Sequence, residues 1–146
     1  MKRTIYRLIE EVLNRIGLYS EDAVRLVYET GLAESRYRHL EQINGPALGF
    51  FQIEPATVRD IWENYALHHP KIRDSLFALG FDESELEFRI ISNIALQIAL
   101  CRLTYRRDPD EIPNNMIDRA AYWKKVYNTR LGKGTLEHYL KACQDA

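Results

Sequence analysis

The chain has 146 residues, enough for one domain with its own core, since a domain of about 150 residues buries roughly 68–70% of the surface its unfolded chain exposes. Its 46% hydrophobic and 28% charged residues are the proportions of an ordinary soluble globular protein. A net charge of -1 excludes a global electrostatic signature for nucleic acid or anionic lipid.

At the N-terminus, Met1–Arg7 is charged, and Glu10 and Glu11 interrupt too early for a signal peptide. The expectation is a chain made and folded in a cytoplasm. No run of about 18 apolar residues occurs, so no membrane span is expected. Ile5, Leu8, Ile9, Val12, Leu13 and Ile16 recur at helical spacing, and Gly17 ends that amphipathic helix. Ser20 suits an N-cap, with Glu21 and Asp22 in the first turn where the helix dipole favours anions. Ala23, Val24, Leu26 and Val27 carry a second helix to about Ala33. From Arg38 to Leu48 the helical period is lost, and Asn44-Gly45-Pro46 is a turn signal. Pro55 suits the first position of the next helix, whose Val58, Ile61, Trp62 and Tyr65 share a side.

His69-Pro70 breaks the chain, and Pro70 can open a short helix ending at Gly80. Asp82 and Glu85 form a D-x-x-E capping box. The most apolar helix follows, with Leu86, Phe88, Ile90, Ile91, Ile94, Leu96, Ile98, Leu100 and Leu103. It has almost no polar face and is expected at the centre of the domain. Cys101 falls in it as a core residue. With Cys143 it makes only two cysteines, too few for a disulfide framework, and no C-x-x-C spacing occurs. Pro109 and Pro113 bracket a loop, and a helix from about Asn115 carries Ala120, Ala121, Trp123 and Tyr127. Gly132 and Gly134 mark a further loop before Thr135 caps a last helix. Between Pro113 and Lys141 six basic residues (Arg119, Lys124, Lys125, Arg130, Lys133, Lys141) face Asp118 and Glu137. That excess suits an anionic polymer, although a solvated helix face is the plainer reading. The fold class expected is mainly α in a single domain over residues 1–146, with room for a short β-hairpin near residues 38–52.

The informative stretch is Gly31 to Thr57, GLAESRYRHLEQINGPALGFFQIEPAT. Glu34 ends an apolar helix after Leu32 and Ala33. Partial desolvation there disfavours the charged carboxylate and raises its pKa, which a proton donor at neutral pH requires. Taken alone, Glu34 reads more readily as a surface residue at a helix end, where the dipole slightly disfavours it. Its neighbours change the weighing. Glu34-Ser35 with Tyr37, then Ala47-Leu48-Gly49-Phe50-Phe51-Gln52 and Pro55-Ala56-Thr57, then Asn93-Ile94 with Leu100 and Leu103, then Val126-Tyr127-Asn128, stand in order. Gly49 follows Glu34 by 15 residues. The set, spanning residues 23–134, resembles the lytic transglycosylases, the goose-lysozyme-like branch of the lysozyme superfamily. Each motif is weak by itself; four in order are fairly specific.

The resemblance implies a lysozyme-like fold and Glu34 as the catalytic residue. It implies substrate-binding roles for Ser35, Tyr37, Gly49, Phe50, Phe51, Gln52, Tyr127 and Asn128. Gly49 lets the backbone approach a sugar or take a turn that a Cβ forbids. Gln52 offers donor and acceptor to sugar hydroxyls and N-acetyl groups. Of Phe50 and Phe51, one is expected in the core and one in the groove wall. Tyr127 resembles the family tyrosine whose hydroxyl meets the catalytic carboxyl, and Asn128 the residue that binds substrate beside it. Ser35 is expected to support the site by local hydrogen bonding. Trp123 is open between core packing and the site.

Some positions depart from the pattern. Phe50-Phe51 replaces Leu-Met, Pro46 and Gln97 stand where Gly is usual, and Val126 replaces Ala. These change size, and put groove shape in doubt more than chemistry. Glu54, often Met in the family, reads as a helix-start residue or a second carboxylate.

The reaction implied is cleavage of the β-1,4 bond between N-acetylmuramic acid and N-acetylglucosamine in peptidoglycan. Glu34 acts as acid and then base, and leaves a 1,6-anhydromuramoyl end. No cofactor or metal is expected, because the adjacent His68 and His69 point apart and no carboxylate is spaced to join them. The alternatives are a hydrolytic lysozyme with Glu54, Glu41 or Asp60 as second carboxylate, and a non-catalytic virion or cell-wall-binding protein. A helical nucleic-acid binder has little support. The partners expected are glycan strands and, in a virion, other virion proteins, with a monomer as the default. A wall-cleaving chain of this kind resembles bacteriophage enzymes, either virion components or released endolysins.

Overall fold

The structure, a computed structural model, describes residues 1–129 and 132–146. Arg130, counted above in the basic excess, lies outside the described residues. Eight α-helices occur among them: α1 Lys2–Arg15, α2 Glu21–Ser35, α3 Pro55–Asn64, α4 Pro70–Ala78, α5 Leu86–Ser92, α6 Ile94–Arg106, α7 Met116–Tyr122 and α8 Leu136–Gln144. The protein is mainly α in a single domain, as the periodicity predicts. No described helix is long and apolar enough to cross a membrane.

The predicted helix starts rest on side-chain caps that satisfy otherwise unpaired N–H groups. Ser20, Asn115 and Thr135 accept from the backbone N–H groups of Ala23, Asp118 and His138. Pro55 and Pro70 open α3 and α4. The Asp82 box differs from expectation: its carboxylate accepts from Ser84, two residues on, and starts a 3-10 turn over Glu83–Glu85.

The expected long apolar helix is two. Asn93 takes an extended conformation, and its side chain accepts from the Leu96 N–H at 2.9 Å to start a new helix, α6. The Asn93 amide also donates to the Leu79 carbonyl at 2.6 Å, tying the break to the end of α4. An Asn that satisfies its own backbone outcompetes one more helical turn. Phe88 of α5 is 67% exposed rather than central. α6 keeps the central place. It packs against α1, α2, α3 and α5, and buries Leu96, Ile98, Leu100, Cys101, Leu103 and Tyr105.

α2 is buried nearly all round and packs on α1, α6 and α8. Two of its residues explain how it fits. Gly31 lies under the Tyr37 ring, where a Cβ would come within 2.2 Å of Cζ. Glu29, on the same face as Leu26 and Ala33, is buried in a bidentate pair with Arg119 of α7 at 2.7 and 2.9 Å, and the Tyr139 hydroxyl of α8 donates to it at 2.7 Å. The cluster joins α2, α7 and α8.

The hairpin allowed for residues 38–52 is reduced to isolated antiparallel bridges, Glu41 with Leu48 and Leu48 with Ile53. Three turns in succession leave no length for a ladder. α7 continues into a π-helical segment, Trp123–Asn128, whose hydrogen bonds span one residue more than those of an α-helix.

Candidate functional site

A groove of about 900 Å³ opens between the end of α2, the 39–57 loop region, the π-helical segment and the start of α8. Glu34, Gln52, Tyr127 and Asn128, singled out in the sequence, all line it. Its size falls within the usual range for small-molecule and cofactor pockets.

Glu34 sits on the last turn of α2. Burial pushes its carboxyl from the ordinary 4.5 up to about 7, partly opposed by a hydrogen bond from Trp123. The Trp123 indole N–H donates to Oε2 at 2.9 Å. A carboxyl so held keeps its proton near neutral pH and can give it up there.

The chain around Glu34 is strained. Arg36 and Tyr37 have φ of 52° and 56°, Gln52 has 50° and Thr129 has 68°. Left-handed non-glycine residues cost on the order of 1–3 kcal/mol each and concentrate at functional sites. Here two lie two and three residues after Glu34, and Gln52 and Thr129 line the groove. Ser35 holds the first pair: its Oγ accepts from the Tyr37 N–H at 3.1 Å and donates to the Phe50 carbonyl at 2.6 Å. Ser35 is buried, and its role is this local support.

Several residues expected to bind substrate lie elsewhere. Tyr37 is core. Its ring stacks on Tyr28 and meets Phe50 and Phe51 edge-on, while its hydroxyl donates to the Tyr28 carbonyl at 2.8 Å. Phe51 is 1% exposed, and Phe50 packs partly buried on the core, so neither forms the groove wall. Each is drawn inward by its aromatic contacts with Tyr37. Gly49 takes the turn rather than the ligand-facing role: its φ is 77°, and a Cβ would stand 2.8 Å from the Gln97 side chain. Gln97 therefore occupies the space beside Gly49.

The Tyr127 hydroxyl does not bond the Glu34 carboxyl. It donates to the Phe51 carbonyl at 2.6 Å, which fixes the far side of the groove loop. Trp123 makes the bond to Glu34 instead. Trp123 and Tyr127 thus brace opposite parts of the site from one segment. The Asn128 Oδ1 accepts from Lys124 Nζ at 2.7 Å, and Lys124 also donates to the Gly132 carbonyl. The Gln52 amide donates to the Gly49 carbonyl at 2.9 Å, which leaves its oxygen for other partners.

Sequence reasoning missed His138 and Thr104 in the lining. His138 Nε2 lies 2.7 Å from the Ala33 carbonyl, which can only accept, so that nitrogen carries hydrogen. No local pattern marks it. For Trp123 a signal existed, since a buried indole N–H needs a partner. Of the candidate second carboxylates, Glu41 and Glu54 line the groove, and the Glu54 side chain makes no cap bond to α3. Asp60 is outside it, paired with Arg107. His68 and His69 each bond a separate backbone carbonyl, of Glu63 and Tyr65. Much of the basic excess is engaged: Arg119 with Glu29, Lys125 with Asp110, Lys124 with the loop.

Compared with protein-family models, curated proteins and solved structures, the chain matches none.

Proposed function

We propose that this protein cleaves peptidoglycan glycan strands, with Glu34 as the acid. The observation that carries the reading is a carboxyl with a pKa of about 7 lining a groove of about 900 Å³. The motif resemblance supplies the substrate class and a lysozyme-like fold. Glu34 gives its proton to the oxygen between N-acetylmuramic acid and N-acetylglucosamine, which leaves with the N-acetylglucosamine side. The resulting carboxylate takes the proton of the muramoyl C6 hydroxyl, whose oxygen closes on C1 as a 1,6-anhydro ring. Glu34 ends as it began, and general acid help of this kind contributes about 10²–10⁴-fold. The setting we propose is a bacteriophage virion component or endolysin acting on the cell wall.

A hydrolytic reading is favoured by one observation: Glu41 and Glu54 share the groove with Glu34. Either carboxylate can serve as the base that activates water in a two-carboxylate scheme.

Digestion of purified peptidoglycan followed by mass spectrometry separates these. Anhydro ends, lighter by one water than the hydrolytic product, support the one-carboxyl reaction. New reducing ends support the hydrolase. Intact glycan overturns the proposal and leaves a binding protein as the reading; cleavage that survives Glu34→Gln overturns Glu34 as the acid.

A further inference from the structure

We propose that Trp123 is the positioning residue of Glu34, and that it dictates which carboxyl oxygen carries the transferable proton. The catalytic meaning of this rests on the glycan-cleavage reading; the geometry does not.

An indole N–H donates and cannot accept. The oxygen it meets, Oε2 at 2.9 Å, must therefore present a lone pair. In a neutral carboxyl the better acceptor is the carbonyl oxygen, so Oε2 takes that role and Oε1 carries the hydrogen. After proton transfer the same donor faces the carboxylate, and a hydrogen bond to a charged group is stronger than one to a neutral group.

The indole has little freedom to turn away. Trp123 is 1% exposed and packs against Tyr139 with ring centroids 5.3 Å apart. Gly134 lies over its outer edge, where a Cβ would come within 2.4 Å of Cη2. One turn earlier, Arg119 is clamped by Glu29. Trp123 opens the π-helical segment directly after α7. Burial raises the Glu34 pKa while this bond lowers it, so the indole holds the carboxyl below the value that burial alone would impose.

Nuclear magnetic resonance tests this in the unmodified protein. With ¹³C-labelled glutamate carboxyls and ¹⁵N-labelled indoles, the Trp123 N–H resonance is expected to shift with the same midpoint as the Glu34 carboxyl. That shift should vanish in Glu34→Gln, and the Trp62 indole should not show it. Trp123→Phe, which keeps an aromatic ring, is expected to raise the Glu34 midpoint. It should lower kcat about tenfold or more at unchanged KM. A Trp123 resonance indifferent to the Glu34 titration overturns the proposal, as does an unchanged Glu34 midpoint in folded Trp123→Phe. If that variant does not fold, the wild-type titration decides alone. Co-titration in a protein that leaves peptidoglycan intact supports the pairing and counts against the glycan reading.

Discussion

Gln97 of α6 lies against Gly49, and its amide bonds both the groove loop and the broken end of α5. Its Oε1 accepts from the Phe50 N–H at 2.9 Å, and its Nε2 donates to the Ile90 carbonyl at 2.7 Å. The break at Asn93 leaves the last carbonyls of α5 without helical partners, and Gln97 supplies one. Gln97→Leu keeps the bulk but strands these groups. An unsatisfied buried polar group costs about 1–3 kcal/mol, so chemical denaturation should show a loss of that order. A change under about 0.5 kcal/mol would mean water or a backbone shift replaces the amide.

The Glu29–Arg119–Tyr139 cluster should be the most sensitive point of the fold. Removing one partner of a buried pair costs about 3–5 kcal/mol, because the other charge stays buried alone. Arg119→Met is therefore expected to lower stability by about that much. Adding Glu29→Leu and Tyr139→Phe should recover most of it, since the burdened charge and hydroxyl are removed together. Denaturation curves for the single and triple variants check this; no recovery in the triple variant would mean that packing, not charge, sets the loss.

The helices were legible because their signals are local: period, caps at Ser20, Asn115 and Thr135, and prolines at Pro55 and Pro70. The break at Asn93 was hidden because the apolar run continues through it, and apolar periodicity cannot see an Asn that caps itself. Glu34 was legible from its place on an apolar helix end, together with the spaced motifs around it. The assignments of Tyr37, Phe50 and Phe51 went astray for one reason. Aromatic residues next to a site in sequence serve the wall or the core equally well, and only the packing on Tyr28 and Gly31 decides. Trp123, open between core and site in the sequence, takes the bond to Glu34 that the resemblance gives to Tyr127, and spacing alone does not say which of two aromatic residues one turn apart reaches the carboxyl. His138 comes from a helix 105 residues away from the Ala33 carbonyl it bonds, and spacing carries no trace of such a contact.

Tyr127→Phe separates loop support from proton chemistry. Its hydroxyl holds the Phe51 carbonyl and makes no hydrogen bond to Glu34. Loss of that bond should cost about 1 kcal/mol. It should leave the Glu34 midpoint unmoved in a carboxyl titration, unlike Trp123→Phe. A Glu34 midpoint shifted by Tyr127→Phe would restore the direct contact that the motif resemblance implies.

Glu34 should make the protein less stable as pH rises. Its folded-state pKa of about 7 stands above the ordinary 4.5, so between these values the folded protein holds a proton that the unfolded chain has released. Below about pH 4.5 both states are protonated and the group is neutral to folding. Through the window from 4.5 to 7 stability falls, and above 7 the folded state carries a desolvated carboxylate at a cost on the order of 3 kcal/mol. Glu34→Gln removes the ionisation and keeps an oxygen for the Trp123 indole. Urea denaturation should find the variant more stable than wild type at pH 8, with the advantage shrinking toward pH 4.5. Parallel stability curves across that range would show that burial does not perturb this carboxyl, and would remove the observation on which its role as an acid rests.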